Sequence, residues 1–415
     1  MKSWTRKLFV AIAVMAAFLP VHAQNGTGGM PGSYLYMGVG ARALGMGGAY
    51  SAVANDATAV YWNPAGLAQM NPYQVSFMHA VLFMDSSFDF IGATAPTEHW
   101  GNFGAAMLSL TSGDFEQRTA LNEEVGTFST RDMAVLFSWS KHFFDRISVG
   151  LNYKLVTQKI LNHSGSGHGI DLGVKAPLVE NISAGVVLRN LLTPKVTLAE
   201  SPQTYPMQIG IGIARAVFDD QFLLSAEFSR ISGWGNPQLS IGGEYRFMER
   251  MALRFGVNSR SITFGAGFSF DSFGVGYSNV GNVDLGASHR FSLDYAFGGF
   301  GVGAAASPEV FSPAGELNIT HIKLKVKTRE RAESWFFAII DSEGETIRQF
   351  RQSGTPPDEI VWDGRDTMGQ LVHDGKFSYL LDVRTAKGEN LTVEGNLVSI
   401  DSSGPDGVFS MSEGD

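Results

Sequence analysis

The sequence predicts an all-β protein: an antiparallel transmembrane β-barrel of about fourteen strands, with a plug ahead of it and a small soluble β domain behind it. Three observations carry that prediction. A glycine-rich, irregular stretch ends in Asn63-Pro64-Ala65-Gly66. Segments that alternate apolar with small or polar residues then follow one another to about residue 297. Beyond about residue 308 the charge rises and the alternating runs become shorter.

Composition agrees with this. Charged residues are 17% of the chain, against roughly a quarter in ordinary soluble domains. Glycine fills 49 of 415 positions and phenylalanine 30. Such a balance suits a barrel that shows aromatics to lipid and packs small residues inside. A net charge of −9, with no basic stripe interleaved with aromatics, argues against a nucleic-acid partner. The chain has no cysteine, which excludes a disulfide framework, a thiolate metal site and a lipoprotein anchor cysteine.

Residues 1–23 read as a secretory signal peptide. Lys2, Arg6 and Lys7 form the positive n-region, Leu8 to Leu19 the apolar h-region, and Val21-His22-Ala23 the cleavage site. Residues 24–72 read as a plug. Gly38, Gly40, Gly45, Gly47 and Gly48 permit tight, irregular backbone, and the stretches Ala41 to Leu44 and Val53 to Val60 are short and mostly small, as a segment that fills a lumen would be. After the signal, no segment reaches the ~18 consecutive apolar residues of a spanning helix. A membrane protein without such helices has to close a sheet, because only then is its backbone satisfied in lipid.

The barrel is expected over 73–298. In 146–157, Ile147, Val149, Leu151, Tyr153 and Leu155 oppose Ser148, Gly150, Asn152 and Lys154. In 261–270, Ile262, Phe264, Ala266, Phe268 and Phe270 oppose Thr263, Gly265, Gly267 and Ser269. The expected strands are 73–83, 86–95, 101–111, 132–142, 146–159, 168–176, 181–189, 206–216, 221–230, 236–247, 250–258, 261–270, 272–281 and 287–297. The gaps at 112–131, 160–167 and 190–205 are expected to be extracellular loops. Trp100, Trp139, Trp234 and Tyr295 suit interfacial aromatic girdles. Residues 299–312 read as a linker. A β-sandwich is expected over 313–401, with turn signals at Glu343-Gly344, Pro356-Pro357, Asp363-Gly364 and Asp374-Gly375. A disordered polar tail is expected over 402–415.

Two resemblances refine this. Gly38 to Ala68, GVGARALGMGGAYSAVANDATAVYWNPAGLA, resembles the N-terminal signature of the PorV/PorQ outer-membrane proteins, which are related to FadL-type transporters. It implies a fourteen-stranded barrel with Asn63, Pro64, Ala65 and Gly66 in a plug inside the lumen. Ile360 to Tyr379, IVWDGRDTMGQLVHDGKFSY, is similar to the Ig-like domain of FlgD proteins through Trp362, Asp363, Gly364, Gly369, Asp374, Gly375 and Tyr379. Relatives often open that domain with an Asp/Asn-rich, calcium-like loop. The corresponding stretch from Phe311 lacks it, so no metal is expected there. An even strand number returns the chain to the side it left, so this domain is expected in the periplasm. Phe291, Leu293, Tyr295 and Phe297 look like a barrel-assembly signal in the last strand.

Little in the chain suggests chemistry, and no enzyme and no cofactor are expected. Gly38-x-Gly40 has the wrong spacing and context for a nucleotide loop. His163 and His168 lack a third ligand for a metal. No Gly-x-Ser-x-Gly elbow occurs. Glu227, Glu244, Arg246, Arg254 and Asp294, with Arg230, fall on or near the presumed lumen face. They read either as a lining that guides a solute or grips the plug, or as a charge network that satisfies the interior. The expected surroundings are outer-membrane lipid in a diderm bacterium and the barrel-assembly machinery. The PorV/PorQ resemblance implies an accessory role in type IX-like protein secretion or surface attachment, through secretion-apparatus proteins or exported cargo. The alternative is FadL-like passive transport of hydrophobic small molecules. A third reading is a structural, envelope-anchoring barrel.

Overall fold

A computed structural model describes residues 29–402, apart from 84, 144–145, 180, 219–220, 248–249, 271, 283–285, 314, 316–317 and 387–389. The expected signal peptide and the tail beyond residue 402 lie outside the described residues. The chain divides into two compact units at Gly298/Gly299.

The first unit carries β1 (Tyr73–Val81), β2 (Ser87–Pro96), β3 (Asn102–Arg118), β4 (Glu124–Phe143), β5 (Ile147–Ile160), β6 (His163–Val179), β7 (Ile182–Leu192), β8 (Lys195–Thr197), β9 (Pro202–Thr204), β10 (Gln208–Val217), β11 (Phe222–Ile231), β12 (Trp234–Phe247), β13 (Met251–Asn258), β14 (Ile262–Phe270), β15 (Phe273–Asn282) and β16 (Gly286–Phe297). All of these except β8 and β9 form one closed barrel in sequential order, and β1 pairs antiparallel with β16 to seal it. That makes fourteen barrel strands, all antiparallel to their neighbours. β8 and β9 form a separate two-stranded hairpin. We call the end where β1 begins and β16 finishes the turn end, and the opposite one the loop end.

The period-two pattern sets which face is which. Phe291 on β16 is 54% exposed and its neighbour Ser292 only 8%. Phe264, Phe268 and Phe270 on β14 face out, whereas Thr263 is buried. The apolar exterior is the lipid-facing side, because a closed sheet leaves no backbone group unpaired there. Aromatic side chains gather near the turn end. Tyr73 stacks on Phe297, Phe297 on Tyr295, and Phe222 on Tyr245. Trp139 near the turn end donates its indole N–H to the Trp100 carbonyl, and Trp234 opens β12 at the loop end. Among the described residues no helix is long and apolar enough to cross a membrane.

Three expected boundaries move, each for a physical reason. The stretch 112–131 is not a loop: β3 and β4 run on through most of it and turn at 119–123. Beyond Ser112 and Thr130 they pair only with each other, with Phe115 opposite Phe128. A free-standing hairpin buries no face, so it shows no alternation. The stretch 160–167 belongs mostly to β6, whose glycines read as a loop. Gly165 and Gly167 sit beneath the inward-folded β8, where an added Cβ would lie 2.5 Å from the Thr197 carbonyl oxygen and 2.7 Å from that of Lys195. The presumed linker 299–312 contains β17 (Gly301–Ser307) and β18 (Val310–Phe311). Its alanines and glycines carry little pattern, and the strand is specified by the sheet it joins.

In the second unit, β17, β19 (Thr320–Lys327) and β22 (Glu359–Trp362) form one sheet. The other contains β18, β20 (Ala332–Ile340), β21 (Thr346–Ser353), β23 (Gly375–Thr385) and β24 (Asn390–Ile400). Ile322, Leu324, Trp335, Phe337, Trp362, Phe377 and Leu381 share its core. Trp362 donates its indole N–H to the Arg365 carbonyl, and Gly364 has φ +69° with Pro313 packed where a side chain would go.

Candidate functional site

The lumen is filled by residues 30–72, and this plug–wall seam is the candidate site. The plug is built from short pieces: 3-10 turns at Ser33–Tyr36 and Pro64–Gln69, and helical turns at Ala41–Gly45 and Ala59–Trp62. None is long enough to be stable alone. Asn63 caps the last of them, with Pro64 at its first position, by accepting the Ala65 N–H at 3.1 Å. The Asn63 amide also donates to the carbonyls of Ser51 at 2.8 Å and Val174 at 3.2 Å, joining two plug segments to β6. Ala65 and Gly66 are buried beside it, and a Cβ on Gly66 would strike the Ala54 carbonyl oxygen at 2.2 Å.

One side of the seam is backbone against backbone. An added Cβ at Gly150 would lie 2.3 Å from Pro64 and Ala65, and at Gly185 2.3 Å from the Ser51 carbonyl oxygen. At Gly242 it would lie 2.3 Å from the Met46 carbonyl oxygen, and at Gly256 2.1 Å from the Gly47 nitrogen. The other side is apolar. Met78 and Ala80 on β1, Phe88 and Phe90 on β2, Leu108 on β3 and Leu136 on β4 point inward and are buried with Tyr34, Val39 and Val60 of the plug.

The charged lumen residues are gathered into a few clusters. Glu244, with no exposed side-chain surface, receives Arg42 of the plug at 2.9 and 3.0 Å, Arg246 at 3.0 Å and Arg254 at 2.7 Å. Arg42 also meets Asp56, whose carboxylate accepts from Tyr50 and Thr58. Glu227 accepts the backbone N–H groups of Tyr50 at 2.9 Å and Ser51 at 2.8 Å. Arg42, Asp56, Glu244, Arg246, Arg254 and Asp294 line a cavity of about 360 Å³ at the turn end. Arg230 is exposed, on the opposite phase of β11 from Glu227.

Several lumen residues escape a reading of charge alone. Lys154 pairs with Asp171 at 2.7 Å, and Lys175 donates to the Ala54 carbonyl at 2.8 Å. Arg189 donates to the Trp62 carbonyl at 2.6 Å and lies over the rings of Tyr61 and Trp62. The available signal was their place on the small-residue phase of a strand whose other phase is apolar. At the loop end, β8 and β9 fold inward and Tyr205 packs over Gly32. Burial raises the Tyr205 hydroxyl well above the usual phenol range. His163 and His168 both lie on β6, and His168 bonds Tyr153 at 2.5 Å. Among the described residues no group of three His, Cys, Asp or Glu side chains could hold a metal. Phe291, Leu293, Tyr295 and Phe297 all face outward on β16.

Residues 9–175 match the model of an uncharacterised protein family, UPF0164. No curated protein matches the chain. Among solved structures, the Pseudomonas putida toluene transporter TodX is similar with a TM-score of 0.51 at 15% identity, over 62% of this chain and 98% of that one. The Ralstonia pickettii toluene transporter TbuX reaches 0.49 at 16% identity, over 63% and 99%. A Pseudomonas aeruginosa FadL homologue reaches 0.45 at 12% identity, over 62% and 98%. At 15% identity the likeness to TodX is one of fold alone: a closed antiparallel β-barrel.

Proposed function

We propose that this protein is a non-enzymatic outer-membrane barrel that passes small hydrophobic molecules across that membrane. The observation that supports it is the inward apolar wall of β1 to β4. The lumen of a porin is polar and holds water. Here Met78, Phe88, Phe90, Leu108 and Leu136 line one side instead. A water-filled passage gains nothing from such a wall, whereas an apolar solute that displaces plug contacts finds equivalent ones on it. The fold likeness to toluene transporters points the same way and makes toluene a sensible probe. A strain without the protein should take up toluene and longer hydrocarbons more slowly, and the full chain should restore the rate. Unchanged uptake of every hydrophobic solute tested would sink the proposal.

A second reading is an accessory barrel for type IX-like secretion or surface attachment, with the second unit as a periplasmic Ig-like tether. It rests on the PorV/PorQ resemblance of Gly38 to Ala68 and is favoured by the close fit of plug backbone to the wall glycines, which suits a permanently closed barrel. On this proposal the Phe291, Leu293, Tyr295 and Phe297 face is what the assembly machinery reads. Crosslinking and pull-down from solubilised outer membranes should then recover secretion components or exported proteins. Recovery of the barrel alone would count against it.

A further inference from the structure

Most charges of the lumen meet partners from the protein. Glu227 has two backbone N–H groups, Glu244 three arginines, Lys154 an aspartate, and Lys175 and Arg189 backbone carbonyls. Arg290 differs. It points inward from β16 and is 6% exposed, yet among the described residues its Nε and Nη1 meet no acceptor. Its register neighbours are Ala80 on β1 and Ser278 on β15. Ser278 is fully buried, and its hydroxyl is also without a partner among the described residues. Two adjacent strands thus present unanswered polar groups at one level of the lumen.

We propose that Arg290 and Ser278 hold one small monovalent anion, of halide size, in the seam between plug and wall. A buried lysine or aspartate can shed its charge, but a guanidinium keeps its proton throughout the accessible pH range. Its burial therefore calls for an acceptor that also carries negative charge. The site offers guanidinium N–H groups and a hydroxyl, and no carboxylate stands at either register position, so it selects an anion over a cation. Size follows from the surroundings. Ala80, its register neighbour, and Met78, one inward step along β1, are fully buried. A halide fits such a space better than an anion with a tail. Its consequence concerns the plug. Ser292, the next inward residue on β16, accepts the Ala41 N–H at 2.8 Å, and the Gly40 N–H lies 3.1 Å from the Met78 sulfur. The anion would sit one inward step from these anchors and support the seating of the plug.

The test uses the full chain in detergent, with thermal unfolding followed against sodium chloride, sodium bromide, sodium gluconate and sodium hexanoate at matched ionic strength. Chloride and bromide should raise Tm saturably, and gluconate should not. Arg290→Gln should abolish the response. Should that variant fail to fold, Ser278→Ala decides: it should shift half-saturation to severalfold higher chloride. Removing a hydroxyl that bonds nothing would leave the chloride response unchanged, which overturns the proposal. Equal Tm in chloride and gluconate overturns it as well. A response to hexanoate without one to chloride overturns the halide assignment and gives the site to a carboxylate bearing a tail.

Discussion

The two sides of the lumen hold the same plug by different physics. On β1 to β4 the contact is side chain against side chain: Met78, Phe88, Phe90 and Leu108 fill volume against Tyr34, Val39 and Val60. On β5 to β14 the strands present bare glycines, and the plug backbone approaches to distances no Cβ tolerates. The first contact depends on total volume and can repack; the second depends on atomic positions and cannot. A solute that must pass the plug would therefore do so along the apolar side, with the glycine side as the fixed hinge.

The sharpest way to break that comparison is Gly256→Ala. The new methyl would lie 2.1 Å from the Gly47 nitrogen, between two stretches of backbone. The expected result is an unseated plug, with protease cleavage within 30–70 and a stability loss above about 4 kcal/mol, in the range reserved for severe steric or packing faults. Undiminished stability would show that the glycine side repacks as freely as the apolar one.

Phe90→Ala tests the other side. Phe90 is buried on β2, beside Met78 and Leu108 in register. Truncating a buried phenylalanine costs roughly 3–5 kcal/mol, less where neighbours collapse into the space. The expected outcome is a loss toward the lower figure, with the plug still protected from protease because the glycine contacts remain. Cleavage within the plug as fast as in Gly256→Ala would mean that the two sides act as one.

Much of this was legible in the sequence and some could not be. The strand count and the inward and outward phases follow from alternation, since one face of each strand meets lipid and the other a packed interior. The small inward residues Gly150 and Gly265 were visible as such, but not what they face, and the same holds for Gly242 on β12. A glycine records that something comes close, and only the fold says it is Pro64, Met46 or Gly45. Glu244 could be placed on the inner face. Its partner Arg42 could not, because 202 residues separate them and the plug carries no period. The β3–β4 hairpin and β17 were missed because a strand that buries neither face, or is specified by its neighbours, leaves no pattern.

The smallest effect is expected at Glu227, where the glycine side is reinforced by charge. Its Oε2 accepts both the Tyr50 and the Ser51 N–H, fixing the plug turn that lies against Gly185 and Gly212. Glu227→Gln keeps an oxygen of the same shape in place and removes only the charge. Charge-assisted bonds are roughly twice as strong as neutral ones, so the change should cost about 1 kcal/mol, read as a lower denaturant midpoint at unchanged slope. A loss of several kcal/mol would mean that the carboxylate balances a cation beyond these two bonds. No loss would mean that the glycine contacts alone position the turn, which would make the backbone fit the whole of the difference between the two sides.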